Sequence, residues 1–214
     1  NIVYAINIFG TYFFILGMIN AINIIDGLDG LSSGVTTIAG TSFLVLAAFH
    51  GNALAILIAV TLVGAALGFL VHNFAPASIF IGDTGSMLYG FILAILALEV
   101  EFQYLNVICF AAPLTILFVP IFDTTFAIVR RIINRVPIYL PDKKHIHHRL
   151  INNGFSPKIS VLILYVFCTS FGIVGVYTSI TQSYIYIVMA LVIFLILIGL
   201  ITEKKQDTAK KTKK

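Results

Sequence analysis

Two asparagines and two aspartates lie close together in NAINIIDGLDGLSSG, residues 20–34 of the 214-residue chain. Asn20 and Asn23 are three residues apart and would share one face of a helix, and Asp26 and Asp29 follow directly. Carboxylate and amide oxygens are the ligands that hard divalent cations prefer. The glycine after each aspartate predicts a tight turn where backbone can approach a ligand. An ordinary polar turn is the alternative, but it would not need these residue types. The candidate caps of the next helix are Ser32 and Ser33.

A second polar segment, HNFAPASIFIGDTGS, covers residues 72–86. Asp83 lies at a predicted helix start, where free N–H groups and the positive end of the helix dipole attract an anion. Its carboxylate is a candidate ligand for a cation that bridges to phosphate oxygens, with Asn23 or an aspartate of the first segment completing the oxygen shell. Helix capping by Asp83 is the alternative that needs no metal.

A third segment, PDKKHIHHRL at residues 141–150, brings three of the five histidines together with three basic residues. Such a cluster can carry positive charge and transfer protons near neutral pH. The histidines could instead bind zinc, but structural zinc usually has four ligands, and no cysteine or pair of acids completes the set here. A solvated basic loop would explain the lysines and arginine but not the histidines. The cluster consists of Lys143, Lys144, His145, His147, His148 and Arg149.

The elements that must position these segments are membrane helices. Hydrophobic residues make up 59% of the chain and charged residues 10%, with a mean hydropathy of +1.04, whereas soluble domains have roughly 25% charged residues. This composition excludes a water-soluble fold. A spanning helix needs about 20 apolar residues, and seven uncharged runs near that length predict an all-α polytopic membrane protein. The runs cover residues 2–25, 32–49, 53–72, 85–99, 105–130, 159–179 and 184–202.

Alternating these spans across the membrane places all 13 Lys and Arg residues on one side, together with the three polar segments. The opposite connections, around His50, residues 99–106 and Thr181, contain no Lys or Arg. The positive-inside rule makes the basic side cytoplasmic. We therefore expect the N-terminus outside and the C-terminus in the cytoplasm, with one helical membrane domain over residues 1–202 and a basic disordered tail over residues 203–214.

Asp123, in PIFDTTFAIVRR, is an acid within the fifth predicted span. A charge inside a membrane is costly and usually serves a purpose. A hydrogen bond between packed helices and a part in catalysis fit its position equally well. The three polar segments, by contrast, lie at the membrane boundary. Acids that can hold a cation, amides, a helix start and a cationic loop on one face suit phosphoryl transfer, in which the protein mainly positions and neutralises charge.

At the three segments the chain resembles the polyprenyl-phosphate N-acetylhexosamine-1-phosphate transferases, because NAINIIDGLDGLSSG, IFIGDTGS and PDKKHIHHRL recur in order and on one membrane face. The His-Ile-His-His-Arg form resembles the bacterial branch that uses UDP-N-acetylglucosamine. The resemblance implies transfer of N-acetylglucosamine 1-phosphate from the UDP-sugar to undecaprenyl phosphate, with release of UMP. This would be the first step of a cell-envelope polysaccharide or teichoic acid.

The resemblance also implies a setting and partners. It places the protein in the bacterial plasma membrane with the active site facing the cytoplasm. The cofactor would be Mg²⁺, with Mn²⁺ as an alternative, and the partners would be the UDP-sugar, undecaprenyl phosphate and the bilayer. No nucleic acid is expected, and a homodimer is left open.

Roles carry over by position. Asp83 resembles the metal ligand, with Asn23 as a second ligand. The residues that match catalytic positions are Asp26, Asp29, His145, His147 and His148. The residues that match substrate-binding positions are Asn20, Asn23, Asn73 and Arg149.

One departure from the family is that its other acidic motif, an adjacent Asp-Asp pair, is absent from the sequence. The chain also starts at Asn1 and enters a predicted span at once. We therefore expect a C-terminal fragment that is inactive alone. The main rival function is a membrane transporter of an anionic substrate, since Pro113 and Pro120 interrupt the fifth span. Transporters, however, hold their substrates near the bilayer midplane.

Overall fold

A computed structural model describes residues 2–101, 107–137 and 145–195. Within these ranges the chain is helical and contains no strand, so the prediction of an all-α fold is confirmed for them. The helices are α1 (Ile2–Ile25), α2 (Leu31–His50), α3 (Ala53–Asn73), α4 (Gly82–Glu101), α5 (Val107–Ile116), α6 (Phe118–Ile133), α7 (Ile146–Asn152), α8 (Pro157–Thr181) and α9 (Ile185–Leu195).

Five of these helices, α1, α2, α3, α4 and α8, are long and apolar enough to cross a membrane, and α5 and α6 pass the same test only as a pair. The described ranges thus hold five or six candidate spans, and the chain is a multi-pass membrane protein. The seventh predicted span, residues 184–202, is described only as far as the short helix α9. The predicted tail at 203–214 lies outside the described residues, as do Lys143 and Lys144.

The span predicted over residues 105–130 is a bent pair of helices, because α5 and α6 meet at an angle of 82°. Proline explains the position of the break. Pro120 has no backbone N–H to donate to the carbonyl of Ile116, four residues earlier, so the helical ladder is interrupted there. Pro113 lies inside α5, and its carbonyl accepts from the N–H of Leu117 at 3.0 Å, which closes the last turn before the bend.

Helix α2 lies at the centre of the bundle, with 67% of its most apolar stretch buried, compared with 22% for α1 and α3. Small residues permit close approach of its neighbours. The ring of Tyr165 on α8 occupies the space beside Gly34, where a Cβ atom would lie 2.0 Å from it. On α4, a Cβ atom at Gly90 would lie 2.6 Å from the carbonyl oxygen of Met18 on α1. This contact between α1 and α4 brings the polar ends of both helices together.

The connections divide between two ends of the bundle. One end, called the site end below, is formed by residues 26–30, residues 74–81 and the short helix α7. The other, called the far end, is formed by the connections at residues 50–53 and 181–184 and by the last turn of α4. The three polar segments of the sequence lie at the site end.

Candidate active site

Asn23 and Asp83 contact each other at the site end, although 60 positions separate them in the chain. Asn23, in the last turn of α1, donates from Nδ2 to Asp83 Oδ1 at 3.2 Å and to Ser86 Oγ at 3.0 Å. Asp83 is exposed in the first turn of α4, and Ser86 is buried one turn further along. The two residues expected to share a cation are therefore adjacent, and the carboxylate of Asp83 is exposed to solvent.

Asp26 lies beside this pair and is held by α2. Its Oδ1 accepts a hydrogen bond of 2.5 Å from the hydroxyl of Ser32. Burial raises the pKa of Asp26 above its ordinary value; the Ser32 hydrogen bond opposes this shift and the charge of Asp83 adds to it. The prediction that Ser32 or Ser33 caps α2 is wrong. Gly30 is the N-cap and no side chain caps the helix, because both hydroxyls bond to other side chains.

Asn73 joins the two acidic segments as a brace. Its Oδ1 accepts from the N–H of Gly30 at 3.1 Å and from Ser33 Oγ at 2.7 Å, and its Nδ2 donates to the carbonyl of Ile79 at 2.9 Å. The side chain is buried, with 3% exposure. Asn73 was expected to contact substrate, yet its amide is already occupied by three protein groups. Its position is that of a structural support for the site.

The second aspartate of the first segment, Asp29, holds the loop after α3. Its Oδ2 accepts from the N–H of Ala77 at 3.0 Å. A cavity of about 150 Å³ opens between the two loops. It is lined by Asp26, Gly27, Leu28, Asp29, Asn73, Phe80 and Ile81. Polar oxygens and three apolar side chains thus share one opening of the kind that can take a small polar ligand.

The histidines lie on a short helix that the sequence did not predict. Helix α7 begins directly after His145, whose Nδ1 lies 3.0 Å from Asp123 Oδ2. The other oxygen of Asp123 accepts from the N–H of Ile146 at 2.9 Å. Both partners of the hydrogen bond between His145 and Asp123 are buried. The sequence allowed either a packing or a catalytic role for Asp123. In the structure its carboxylate joins the histidine segment to α6.

His147 packs on the first acidic segment. A Cβ atom at Gly27 would lie 2.7 Å from His147 Nε2, so the ring rests against the turn between the two aspartates. The ring is 2% exposed, and neither nitrogen has a hydrogen-bond partner among the described residues. Burial lowers the pKa of His147 to about 4; His148 adds to the shift, Asp123 opposes it and His145 adds a smaller part. The ring is therefore neutral at pH 7.

The remaining predicted residues differ in how closely they join the site. The ring of His148 packs on that of His147 at a tilt of 42°, with ring centroids 4.2 Å apart, and Arg149 is half-buried one position further along α7. Asn20 does not join the cluster: it is exposed, and its Nδ2 donates to the carbonyl of Leu16 in its own helix at 2.7 Å. Asn20 lies one helical turn before Asn23, and its amide bonds within its own helix instead of to the carboxylates.

The chain is also similar in sequence to known proteins. Residues 1–101 match the sequence model of the family described as glycosyl transferase family 4. Over 200 residues, 91% of this chain and 56% of the relative, the chain is 42% identical to the probable undecaprenyl-phosphate N-acetylglucosaminyl 1-phosphate transferase of Bacillus subtilis (strain 168). Since 200 residues cannot fit within the first 101, this likeness extends into the later helices. The chain belongs to glycosyl transferase family 4.

Two further relatives of this family 4 chain are more distant. It is 39% identical over 170 residues to the decaprenyl-phosphate N-acetylglucosaminephosphotransferase of Mycobacterium tuberculosis (strain ATCC 25618 / H37Rv), covering 71% of this chain and 42% of the relative. It is 26% identical over 195 residues to the undecaprenyl-phosphate alpha-N-acetylglucosaminyl 1-phosphate transferase of Escherichia coli O157:H7, covering 88% and 53%. The chain spans about half the length of these relatives. The resemblance drawn from the three motifs is confirmed.

The donor set of this family 4 chain fits a hard cation that also binds substrate. Across the described ranges, no group of three or more His, Cys, Asp or Glu side chains is arranged to hold a metal ion, so a cation here would need other oxygen ligands besides the acids. Burial is the main cause that raises the pKa of Asp26 and the negative charge of Asp83 adds to it, and a divalent cation near both carboxylates would offset that repulsion. Mg²⁺ commonly binds through one or two carboxylates and completes its shell with water and substrate phosphates.

Three residues at this site were not among the predicted site residues. Ser86, Ser32 and Asp123 each contact a predicted site residue. A signal existed for Ser86, because it follows Asp83 by three positions in the same motif and so shares its helix face. The sequence carried no comparable signal for the contact of Asp123 with His145, because α6 and the histidine segment are linked through residues 138–144.

Proposed function

We propose that the protein transfers N-acetylglucosamine 1-phosphate from UDP-N-acetylglucosamine to undecaprenyl phosphate and releases UMP. The observation that carries the proposal is the meeting of Asn23, Asp83 and Asp26 beside a turn on which His147 rests. The names of the relatives support a polyprenyl phosphate acceptor and an N-acetylglucosamine phosphate group. In this reaction an oxygen of the lipid phosphate forms a bond to the phosphorus that carries the sugar, and the bond from that phosphorus to the oxygen of UMP breaks.

The main barrier to such a reaction is the approach of two anions. The lipid phosphate is already a nucleophile, so the reaction needs charge neutralisation and alignment more than a strong base. Asp83 and Asn23 would hold Mg²⁺, which when bound offsets the negative charge of the phosphates. Asp26 lies at the edge of the cavity and can bind the nucleotide or accept a proton. Asp29 holds the wall of the same cavity through Ala77.

The histidine segment supplies further polar groups beside Gly27, a residue of the cavity lining. His147 is neutral at pH 7 and has two ring nitrogens without protein partners in the described part of the chain, so it can bind a polar group without carrying charge. Arg149, a permanent cation two residues along α7, suits phosphate oxygens. His145 and His148 flank His147 and complete the segment that would close over the sugar and its phosphates.

The location of the site matches the two substrates. In the proposed orientation the site end faces the cytoplasm of a bacterium, where the UDP-sugar is soluble, while the lipid phosphate reaches the same level from the bilayer. Arg149 lies on α7, and Lys158 Nζ lies 5.5 Å from the centre of the Phe74 ring, so these two cations are at the site end, which supports a cytoplasmic face by the positive-inside rule. The product would start a cell-envelope polysaccharide or teichoic acid.

Purified full-length protein in detergent tests the proposal, with labelled UDP-N-acetylglucosamine and undecaprenyl phosphate, with and without Mg²⁺. We expect a labelled lipid product and free UMP in equal amounts, and loss of both when EDTA removes the metal. Mn²⁺ should restore part of the activity because it accepts similar oxygen ligands. The absence of lipid product, together with uptake of an anionic solute into vesicles, would overturn the proposal in favour of transport.

A further inference from the structure

The carboxylate of Asp123 contacts the histidine segment through both of its oxygens. Oδ2 lies 3.0 Å from His145 Nδ1, and Oδ1 accepts from the N–H of Ile146 at 2.9 Å. Asp123 is 5% exposed and His145 is 7% exposed, so water competes little for these bonds. Asp123 stands three residues after Pro120, at the start of the helix that turns away from α5.

This geometry fixes the proton on the ring of His145. An ionised carboxylate only accepts hydrogen bonds, so the Nδ1 atom facing it must carry a hydrogen. In the neutral ring, Nε2 then keeps the lone pair and is the atom that can accept a proton or a hydrogen bond. The same carboxylate accepts the first N–H of α7, so one side chain sets both the ring proton and the start of the helix.

From these contacts we infer that Asp123 is a positioning residue that acts through His145. It holds His145 with the proton on Nδ1 and anchors the first turn of α7 against α6. That turn carries His147 onto Gly27, so the anchor holds the histidine segment against one of the residues that line the cavity. The inference rests on the proposed function for its effect on turnover, whereas the anchor itself is a property of the fold.

Asp123→Asn separates the two roles because it keeps the shape of the side chain. The Asn oxygen can accept from Ile146, but its NH₂ group would face His145 Nδ1 and donate to it. Nδ1 must then be the acceptor and the ring proton moves to Nε2, the wrong form for the proposed site. We expect kcat to fall on the order of 10²-fold, the scale of general acid–base effects, while KM for UDP-N-acetylglucosamine stays within about twofold.

Asp123→Ala removes both contacts and tests the anchor without any assay of activity. Hydrogen exchange of the backbone amides in residues 146–152, followed by mass spectrometry, should be faster in Asp123→Ala than in the wild type and unchanged in Asp123→Asn. Thr124→Val is the matched control: it alters the next residue of α6 with little change in shape, and the Thr124 hydroxyl has no hydrogen-bond partner among the described residues. It should leave exchange and kcat at wild-type values.

The outcomes separate this inference from the proposed function. A wild-type protein without transferase activity would defeat the proposed function, and the exchange rates would still judge the anchor. Wild-type kcat in Asp123→Asn would overturn the role in setting the ring proton. Wild-type exchange of residues 146–152 in a folded Asp123→Ala protein would overturn the anchor. An equal fall in kcat for Thr124→Val would show that any change in α6 disturbs the site, which also contradicts a specific role for Asp123.

Discussion

Polar side chains at the far end of the bundle bond to one another and to helix ends. Asn52 accepts from the N–H of Ala55 at 3.0 Å, which caps α3, and donates to the carbonyl of Glu99 at 3.1 Å. His50 Nε2 lies 3.1 Å from the hydroxyl of Ser179. The site end contains the same residue types, an asparagine, a histidine, a serine and acids, but there Asp83 is exposed and the ring nitrogens of His147 have no hydrogen-bond partner among the described residues.

The contrast is clearest for the acid and the histidine of the site end. Asp83 is exposed at the start of α4, and His147 is buried with two ring nitrogens that have no hydrogen-bond partner in the described ranges. Unsatisfied buried nitrogens are costly in a folded protein unless a ligand or water completes them. Asn73 helps to stabilise this end of the bundle, since its three hydrogen bonds hold the surrounding loops in place. The polar side chains of the far end hold helices together, whereas Asp83 and His147 at the site end have polar atoms that a ligand could bind.

The largest expected effect is a loss of turnover in a comparison of two acids near opposite ends of α4. Asp83→Asn removes the charge proposed to hold Mg²⁺ with little change in shape, so turnover of the full-length protein should fall by about 10³-fold or more. Glu99→Gln makes the same chemical change near the far end of the same helix and should leave turnover unchanged. Both variants should keep the wild-type melting temperature within a few degrees. If Asp83→Asn retains near-wild-type turnover at low Mg²⁺, Asp83 is not a metal ligand.

Two glycines sharpen the comparison at a smaller scale. Gly27→Ala places a Cβ atom 2.7 Å from His147 Nε2, so the ring and α7 must shift, and a misplacement of about 1 Å can cost on the order of 10²-fold in rate. Gly51 at the far end has open space around it but a φ of +71°, which disfavours alanine. Gly51→Ala should therefore lower stability by about 1 kcal/mol and leave turnover intact. Steady-state kinetics and thermal unfolding of both variants check this, and equal turnover in the two would contradict the contact between Gly27 and His147.

Much of the fold follows from the sequence because hydrocarbon forces apolar runs into helices of nearly fixed length. The predicted runs at 2–25, 32–49 and 53–72 agree with α1, α2 and α3 to within about a residue at each end. The bend between α5 and α6 was not predicted, although its cause is local. Pro113 and Pro120 indicated an interruption, but an angle of 82° depends on how α6 packs on its neighbours, and no local pattern specifies packing.

The sequence predicted which residues form the site better than it predicted the role of each one. Motif spacing singled out Asn23, Asp26 and Asp83, which the fold places together. It could not show that Asn73 braces the loops, because a buried and an exposed asparagine look alike in a sequence. It could not decide between the roles of Asp123 either, since its partner His145 follows 22 positions later and the contact requires α7 to fold back on α6.

The two asparagines that brace the two ends provide a test of stability. Asn73→Ala would leave the N–H of Gly30 and the carbonyl of Ile79 without their side-chain partner in a buried place, which should cost about 2–4 kcal/mol. Asn52→Ala removes a helix cap at the far end and should cost about 1 kcal/mol. Thermal unfolding in detergent measures both. Only the variant of Asn73 should also reduce substrate binding, because the cavity wall depends on it; a larger loss of stability in Asn52→Ala would reverse the assignment of the brace.

The last expected effect is a dependence of stability on pH that comes from His147. Its pKa is about 4 in the folded protein and near 6.5 when unfolded, so between these values the unfolded chain binds the proton that the folded chain excludes. The free energy of unfolding should thus be highest above pH 6.5 and fall by about 2 kcal/mol from pH 7 to pH 5. His147→Asn cannot titrate and should show a flatter profile, whatever its absolute stability. If the two profiles have the same slope, His147 does not stay neutral in a dry contact with Gly27, and the difference between the two ends would rest on the carboxylates alone.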